Sequence, residues 1–210
     1  MKPSVVFVVD DDEAFRNSLS WLLGSNGIAV ICHESGECFL KALSEADHSV
    51  PMCVLLDINM PGLTGVEIQS KLIQKYPHIP VAFITGFGEI STVIKVFQQG
   101  AVDFIQKPFD EKIICTLVNK MLLQAKSNLE ELLQLNDIVE KFNKLTAREV
   151  QVFNCILDEM LNREIAQLLD ISIKTVEARR ASVMEKFGVR RLAGLFHAAH
   201  LLSEAKRQGF

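Results

Sequence analysis

The sequence predicts an α/β domain of doubly wound type followed by an all-α domain, with a long helix between them. Through residues 1–125 short apolar runs alternate with longer stretches of helical period. From Asp110 to Lys141 helical character continues with no Pro or Gly to break it. Residues 143–210 contain no credible strand. The expected limits are therefore 1–125 for the first domain, 126–142 for a helical linker and 143–210 for the second domain.

The strands read in the first domain are Ser4–Val9, Ala29–Cys32, Met52–Leu56, Val81–Ile84 and Asp103–Ile105. Between them, apolar residues recur one helical turn apart: Phe15/Leu19/Leu22/Leu23, Phe39/Leu40/Leu43, Val66/Leu72/Ile73 and Val93/Ile94/Phe97. Strands alternating with helices predict a parallel sheet covered on both faces. Five such units in so short a domain fit the flavodoxin-like order. In the linker Met121, Ala125, Leu132, Leu135, Val139 and Phe142 fall near heptad spacing, with Asn128 interrupting the seam. This is either an amphipathic helix packed on its own domain or, for Leu129–Phe142, a coiled-coil surface for self-association. The second domain opens on a capping box, Thr146-Ala147-Arg148-Glu149. Helices are expected over 147–160, 163–169, 173–187 and 191–205, with Gly188 ending the third in a left-handed conformation.

The formal charge of −4 hides an asymmetry. Residues 1–125 carry 9 Lys+Arg against 14 Asp+Glu, residues 126–142 carry 2 against 4, and residues 143–210 carry 11 against 8. An acidic first domain excludes a general nucleic-acid surface there, whereas the basic last third admits one. The five cysteines are odd in number, scattered and never spaced as CxxC, which argues against a disulfide framework and a zinc site. There is no run of about 18 apolar residues, and the start runs into a short apolar stretch without a cationic leader or cleavage site. No membrane association and a cytoplasmic location are the expectation.

In an open parallel sheet the functional crevice lies at the carboxyl ends of the strands. The residues there are Asp10, Asp11 and Asp12 after the first strand, Asp57 after the third, Thr85 after the fourth and Lys107 after the fifth. Converging carboxylates repel unless a cation joins them, and an all-oxygen site with an incomplete protein shell suits Mg²⁺. Phosphoryl chemistry follows naturally. The motifs Val9-Asp10-Asp11-Asp12, Leu56-Asp57-Ile58-Asn59-Met60-Pro61-Gly62, Ile84-Thr85-Gly86 and Gln106-Lys107-Pro108-Phe109 resemble those of response-regulator receiver domains.

The resemblance implies that Asp57 takes a phosphoryl group from the phosphohistidine of a sensor histidine kinase. It implies Mg²⁺ held by the Asp11 and Asp57 carboxylates, the Asn59 carbonyl and waters, one of them on Asp10. Lys107 would neutralise the transferring oxygens, Thr85 would bond the new phosphoryl group, and Phe104 would occupy the switch position. The bond before Pro108 is a candidate cis peptide. Blander readings stand beside these: the aspartates 10–12 as helix caps, Phe104 as ordinary core, and His197/His200 as a solvated helix face rather than a metal pair. An aspartyl-phosphate phosphatase would need a second acid two residues after the nucleophile, and Asn59 cannot donate that proton.

The run Asn162–Glu177 has the layout of a helix, a tight turn and a second helix. Ala166 permits close approach, Ile171 plugs the turn, and Val176 and Val183 face the core. That leaves Lys174, Thr175, Glu177, Ala178, Arg179 and Arg180 outward for DNA. Leu145 to Leu202 resembles the LuxR-type effector domain, and the whole chain resembles the FixJ-like branch of the NarL/FixJ family. Arg179 departs from it, since a histidine is usual there. The resemblance implies a non-enzymatic transcription factor that forms a homodimer on phosphorylation, binds double-stranded promoter DNA and works with RNA polymerase. It assigns dimer contacts to Leu192, Leu195, Phe196 and Ala199 of the last helix, which reads equally as a fourth core helix. The alternative is a receiver-controlled effector that binds protein instead of DNA.

Overall fold

The structure, a computed structural model, describes residues 4–86 and 90–208. The chain divides into two compact units, Met1–Glu130 and Glu131–Phe210. In the first, strands β1 (Val5–Val9), β2 (Ala29–His33), β3 (Met52–Leu56), β4 (Val81–Thr85) and β5 (Asp103–Gln106) form one sheet in the order β2-β1-β3-β4-β5. Every pairing is parallel. Helices α1 (Glu13–Ser25), α2 (Gly36–Glu45), α3 (Gly65–Lys75), α4 (Ile90–Gln98) and the first part of α5 (Glu111–Asn143) cover it. This is the flavodoxin-like arrangement, and the reversal of strand order between β1 and β3 opens a crevice at their carboxyl ends.

Alternation along the strands builds two apolar layers. Phe7, Val9, Val54, Leu56, Val81 and Phe83 face Phe39 and Leu43 of α2, Ile68 and Leu72 of α3, and Val96 of α4. Val6, Val8, Cys53, Leu55, Ala82 and Ile84 face Leu19 and Leu23 of α1 and Ile114, Leu117, Val118 and Met121 of α5. Strand β3 is buried throughout, which explains its uninterrupted apolar sequence.

The second unit is helical: the end of α5, then α6 (Ala147–Leu157), α7 (Asn162–Leu168), α8 (Ile173–Phe187) and α9 (Leu192–Gln208). Its core gathers Val152, Phe153, Ile156, Ile165, Val176, Val183, Phe187 and Leu195. Phe153 stacks on Phe187 with ring centroids 5.4 Å apart and meets Phe142 edge-on at 5.7 Å. Gly188 closes α8 at φ 69°, a left-handed cap that glycine adopts without strain.

Several expectations change, among them the end of α9, at Gln208 rather than 205. Helix α6 ends at Leu157 rather than 160, because Glu159 takes a left-handed φ of 57° and Met160 N donates back to Cys155 O. The linker's apolar seam is also used largely within the chain. Met121 and Ala125 are buried, and Asn128 Nδ2 donates to the His78 carbonyl at 2.9 Å. Ile138, Val139 and Phe142 pack against the core of the second unit.

A buried polar network fixes α8. The capping box forms as expected: Thr146 Oγ1 accepts from Glu149 N, and Glu149 Oε2 accepts from Thr146 N at 2.7 Å. The same carboxylate accepts from Ser182 Oγ at 2.6 Å and from Lys186 Nζ at 2.7 Å, and Lys186 Nζ also donates to Lys144 O. Lys186, Ser182 and Thr146 hold the Glu149 carboxyl well down, at about 2, against an ordinary 4.5. A depressed carboxyl stabilises the fold above its unfolded value and loses that contribution as pH falls through the folded value. Glu149→Gln is therefore expected to cost the second unit about 2–3 kcal/mol at pH 7, a difference that closes between pH 4.5 and 2. Urea unfolding across that range checks it; a penalty independent of pH would mean that packing, not charge, holds α8.

Candidate functional site

The register of the sheet assembles the first site. Val9 pairs with Leu56, and Asp57 N donates to Val9 O at 2.9 Å, so the residues following β1 and β3 stand side by side. Thr85 ends β4, and Lys107, directly after β5, donates its amide to Thr85 O at 2.8 Å. Asp10, Asp11 and Asp57 each bring a carboxylate oxygen within 4.8 Å of the others. Asp10 and Asp57 are buried, and Asp11 is open to solvent.

Each side chain has a defined anchor. Lys107 ion-pairs with Asp10 Oδ2, and Arg16 Nη1 donates to the Asp10 carbonyl at 2.7 Å. Asp12 caps α1 by accepting from Phe15 N, while its own amide donates to Asp10 Oδ1. Asp57 Oδ1 accepts from Ile58 N at 2.7 Å, and Thr85, fully buried, hydrogen-bonds the same carboxylate. Asn59 lies exposed in the loop after β3. Phe104 is half-buried against the α2–α4 layer. The Lys107-Pro108 bond is cis.

Burial pushes the Asp57 carboxyl above the usual carboxylate range. Lys107 opposes this, the charge of Asp10 adds to it, and the bonds from Thr85 and Ile58 oppose it. Three carboxylates against one ammonium leave an uncompensated negative centre, and hard oxygen donors at this spacing fit a divalent cation. Such an ion would lower the mutual repulsion and admit an anion beside Asp57.

The second site is the α7–α8 pair. Ala166 is buried between the helices, Ile171 N donates to Ala166 O across the turn, and Asp170 takes φ 50°. Ser172 caps α8, accepting from Thr175 N at 3.1 Å, and the two hydroxyls lie 2.8 Å apart. Lys174, Glu177 and Ala178 are exposed, while Thr175, Arg179 and Arg180 are half-buried. On α9 the four assigned contacts divide. Leu195 is fully buried and belongs to the core, Ala199 is half-buried against it, and Leu192 and Phe196 are exposed. His200 approaches Glu204 at 3.4 Å on an open helix face, and among the described residues neither it nor His197 joins a metal-ligating group.

The sequence reading missed Arg16, the Ser172 cap and the Glu149–Lys186 pair. A Ser before the first helical residue was a legible signal; the other two join residues that no local pattern connects.

Comparison with known proteins agrees with this geometry. Residues 6–119 match the response regulator receiver domain, and residues 143–199 match the luxR family of bacterial regulatory proteins. The chain belongs to the response-regulator family. It is 35% identical to the transcriptional regulatory protein FixJ of Rhizobium meliloti, over 95% of this chain and 96% of that one. It is 33% identical to the response regulator protein TmoT of Ectopseudomonas mendocina, over 96% and 90%. Among solved structures it resembles the response regulator StyR, with TM-score 0.83, 32% identity and coverage of 95% and 99%. Full-length FixJ from B. japonicum gives 0.57, 31%, 97% and 99%. This response regulator is thus of the FixJ-like, DNA-binding kind, with a receiver that implies a histidine-kinase partner. Among the described residues no helix is long and apolar enough to cross a membrane.

An acid whose folded value is raised makes the fold more stable as pH drops through the interval above its ordinary value, since the native state then binds the extra proton. Removing that charge at neutral pH has the same sign. Asp57→Asn is expected to raise the melting temperature of the cation-free protein by roughly 2–4 °C, and an added divalent cation should erase the gap. Thermal unfolding in chelator and in cation checks both; a less stable variant in chelator would show that the buried Asp57 charge is not a net cost to the fold.

Proposed function

We propose that Asp57 is the phosphoacceptor, taking a phosphoryl group from a sensor histidine kinase with Mg²⁺ held by Asp11, Asp57 and the Asn59 carbonyl, and by Asp10 through water. The convergence of Asp57, Thr85, Lys107 and the acidic pair at the carboxyl ends of four strands supports this reading. A carboxylate oxygen of Asp57 attacks phosphorus as the P–N bond of the phosphohistidine breaks and the imidazole keeps the electron pair. Bound Mg²⁺ would neutralise charge on the transferring group. Lys107 neutralises another part of it, and the Thr85 hydroxyl donates to the group once it sits on Asp57.

Phosphorylation then promotes dimerisation and promoter binding. Thr85 follows the phosphoryl group and Phe104 turns inward, which reshapes the surface formed by α4, β5 and α5. That surface already exposes Ile94, Phe97 and Ile113. Leu192 and Phe196 pair two effector domains on DNA, and RNA polymerase reads the result. The protein is a stoichiometric acceptor rather than a turnover enzyme, and regulation of promoters sets its place in the cytoplasm. Functionally the division is receiver 1–125, linker 126–142 and DNA-binding domain 143–210.

Acetyl phosphate with Mg²⁺ should add one phosphoryl mass to the wild type and none to Asp57→Asn, and sedimentation of the same samples should show a dimer only in the first. A phosphoryl mass on the Asp57→Asn variant would overturn the site assignment.

For DNA, residues at the start of α8 reach bases and phosphates when that helix lies in the major groove. Arginine can bridge guanine O6 and N7, and glutamate can accept from cytosine N4. Replacing Arg179 or Arg180, whichever specifies, with alanine should cost about 1–3 kcal/mol and relax preference at one position. Lys174→Ala should weaken all sequences alike and lower the salt slope by about one. Binding titrations on an inverted-repeat site at several salt concentrations separate the two patterns, and equal behaviour of all three variants would exclude this docking.

A further inference from the structure

The Lys107 ammonium touches more than acid. Its Nζ lies 3.7 Å from the centroid of the Phe15 ring, close enough for direct contact with the face. Phe15 sits in the first turn of α1, half-buried against the layer shared by α1 and α5. The Phe109 ring meets it edge-on, with centroids 6.0 Å apart and planes at 90°, which fixes its tilt. The periodicity of α1 asks only for an apolar residue at this position, and leucine would satisfy it. An aromatic face adds a patch of negative potential directed at a cation.

That patch is not redundant with Asp10. The Asp10 carboxylate is already divided: Oδ1 accepts from the Asp12 amide and Oδ2 holds Lys107. The same carboxylate faces the cation site, so charge drawn to that site weakens its hold on the ammonium. The Phe15 ring has no such second claim. The Lys107 side chain is 20% exposed, so the contact is only partly screened by water.

We propose that Phe15 is a positioning residue for phosphoryl acceptance, its ring face keeping the Lys107 ammonium beside Asp57 while Asp10 serves the cation site. This rests on the Asp57 reading above. An aromatic–cation contact of this kind corresponds to a roughly 2- to 30-fold effect on a step that needs the ammonium in place.

The test uses the full chain with Phe15→Leu, Phe15→Tyr, and mono-, di- and trifluorinated phenylalanine at position 15, which keep the ring's shape while draining its face potential. In the metal-free, unphosphorylated protein the Lys107 ε-methylene protons should be shifted upfield by the ring, an effect kept in Phe15→Tyr and lost in Phe15→Leu. Lys107→Met identifies the signal. With Mg²⁺ and acetyl phosphate, the phosphorylation rate should fall stepwise with fluorination at unchanged melting temperature. Phe15→Leu should be slower by the full factor, and Phe15→Tyr near wild type. A flat rate across the fluorinated series, or a Lys107 signal indifferent to Phe15→Leu, overturns the proposal. Failure of the wild type itself to be phosphorylated on Asp57 would instead overturn the underlying reading, with the Lys107 signal still deciding the contact.

Discussion

Three carboxylates gathered within 4.8 Å by a parallel sheet are the constraint around which the first unit is organised. Burying the Asp57 carboxylate is costly and the charge of Asp10 adds to that cost, so the geometry persists only because stability comes from elsewhere. It comes from the two apolar layers. Val9 and Leu56 are both fully buried and paired in register, so the aspartates that follow them cannot drift apart to relieve the repulsion. Gly65 carries the same tightness into α3: a Cβ there would collide with the Asp57 carbonyl oxygen, so only glycine lets that helix start against the acidic loop. The site is a buried cluster of charge held in place by packing, and on the proposed reading an arriving cation or phosphoryl group acts on that cluster.

The sequence was most legible where burial is simplest. Strand β3 is buried on both faces, and its limits Met52–Leu56 emerge unchanged from the apolar run. Strand β2 lies at the sheet edge with a mixed burial pattern, and its end at His33 carried no hydrophobic signal. The stop of α6 was invisible because Glu159, not a glycine, takes the left-handed turn there. The acidic residues, Thr85 and Lys107 were legible because strand ends converge by topology. What escaped were partners brought together across the fold. Phe15 reads as one more apolar position of α1, and nothing local places its ring against a lysine 92 residues later. Asn128 looked like a flaw in a heptad seam; its amide in fact meets the carbonyl of His78.

In the second unit the same separation of roles runs along a single helix. Val176, Val183 and Phe187 of α8 belong to the core, Ser182 and Lys186 belong to the Glu149 network, and Lys174, Glu177 and Ala178 are left to solvent. A recognition helix has to be held rigidly on two sides if its third side is to present side chains in a fixed pattern. Apolar packing sets its distance from α6, and charged hydrogen bonds set its rotation and register, because they are directional in a way that dispersion contacts are not. Lys186 extends this hold to the Lys144 carbonyl just beyond α5, so the recognition helix is tied to the chain segment that enters the domain.

That tie bears on how a signal could reach DNA. Helix α5 runs unbroken from Glu111 to Asn143; Met121 lies in the receiver core, and Val139 and Phe142 pack on the effector core. A zipper along the linker would need those effector-end residues for a partner, and one copy already uses them. The exposed apolar residues that remain on α5 beyond the receiver core, Leu123 and Leu133, are ten positions apart. At 3.6 residues per turn that leaves them about 80° apart around the helix, which is no continuous stripe. Two copies would, on the proposed reading, pair through the exposed Ile94, Phe97 and Ile113 on the receiver and Leu192 and Phe196 on the effector. On the proposed reading, phosphorylation therefore acts by joining receivers and so raising the local concentration of effectors, with α5 as the tether whose two ends are each part of a core.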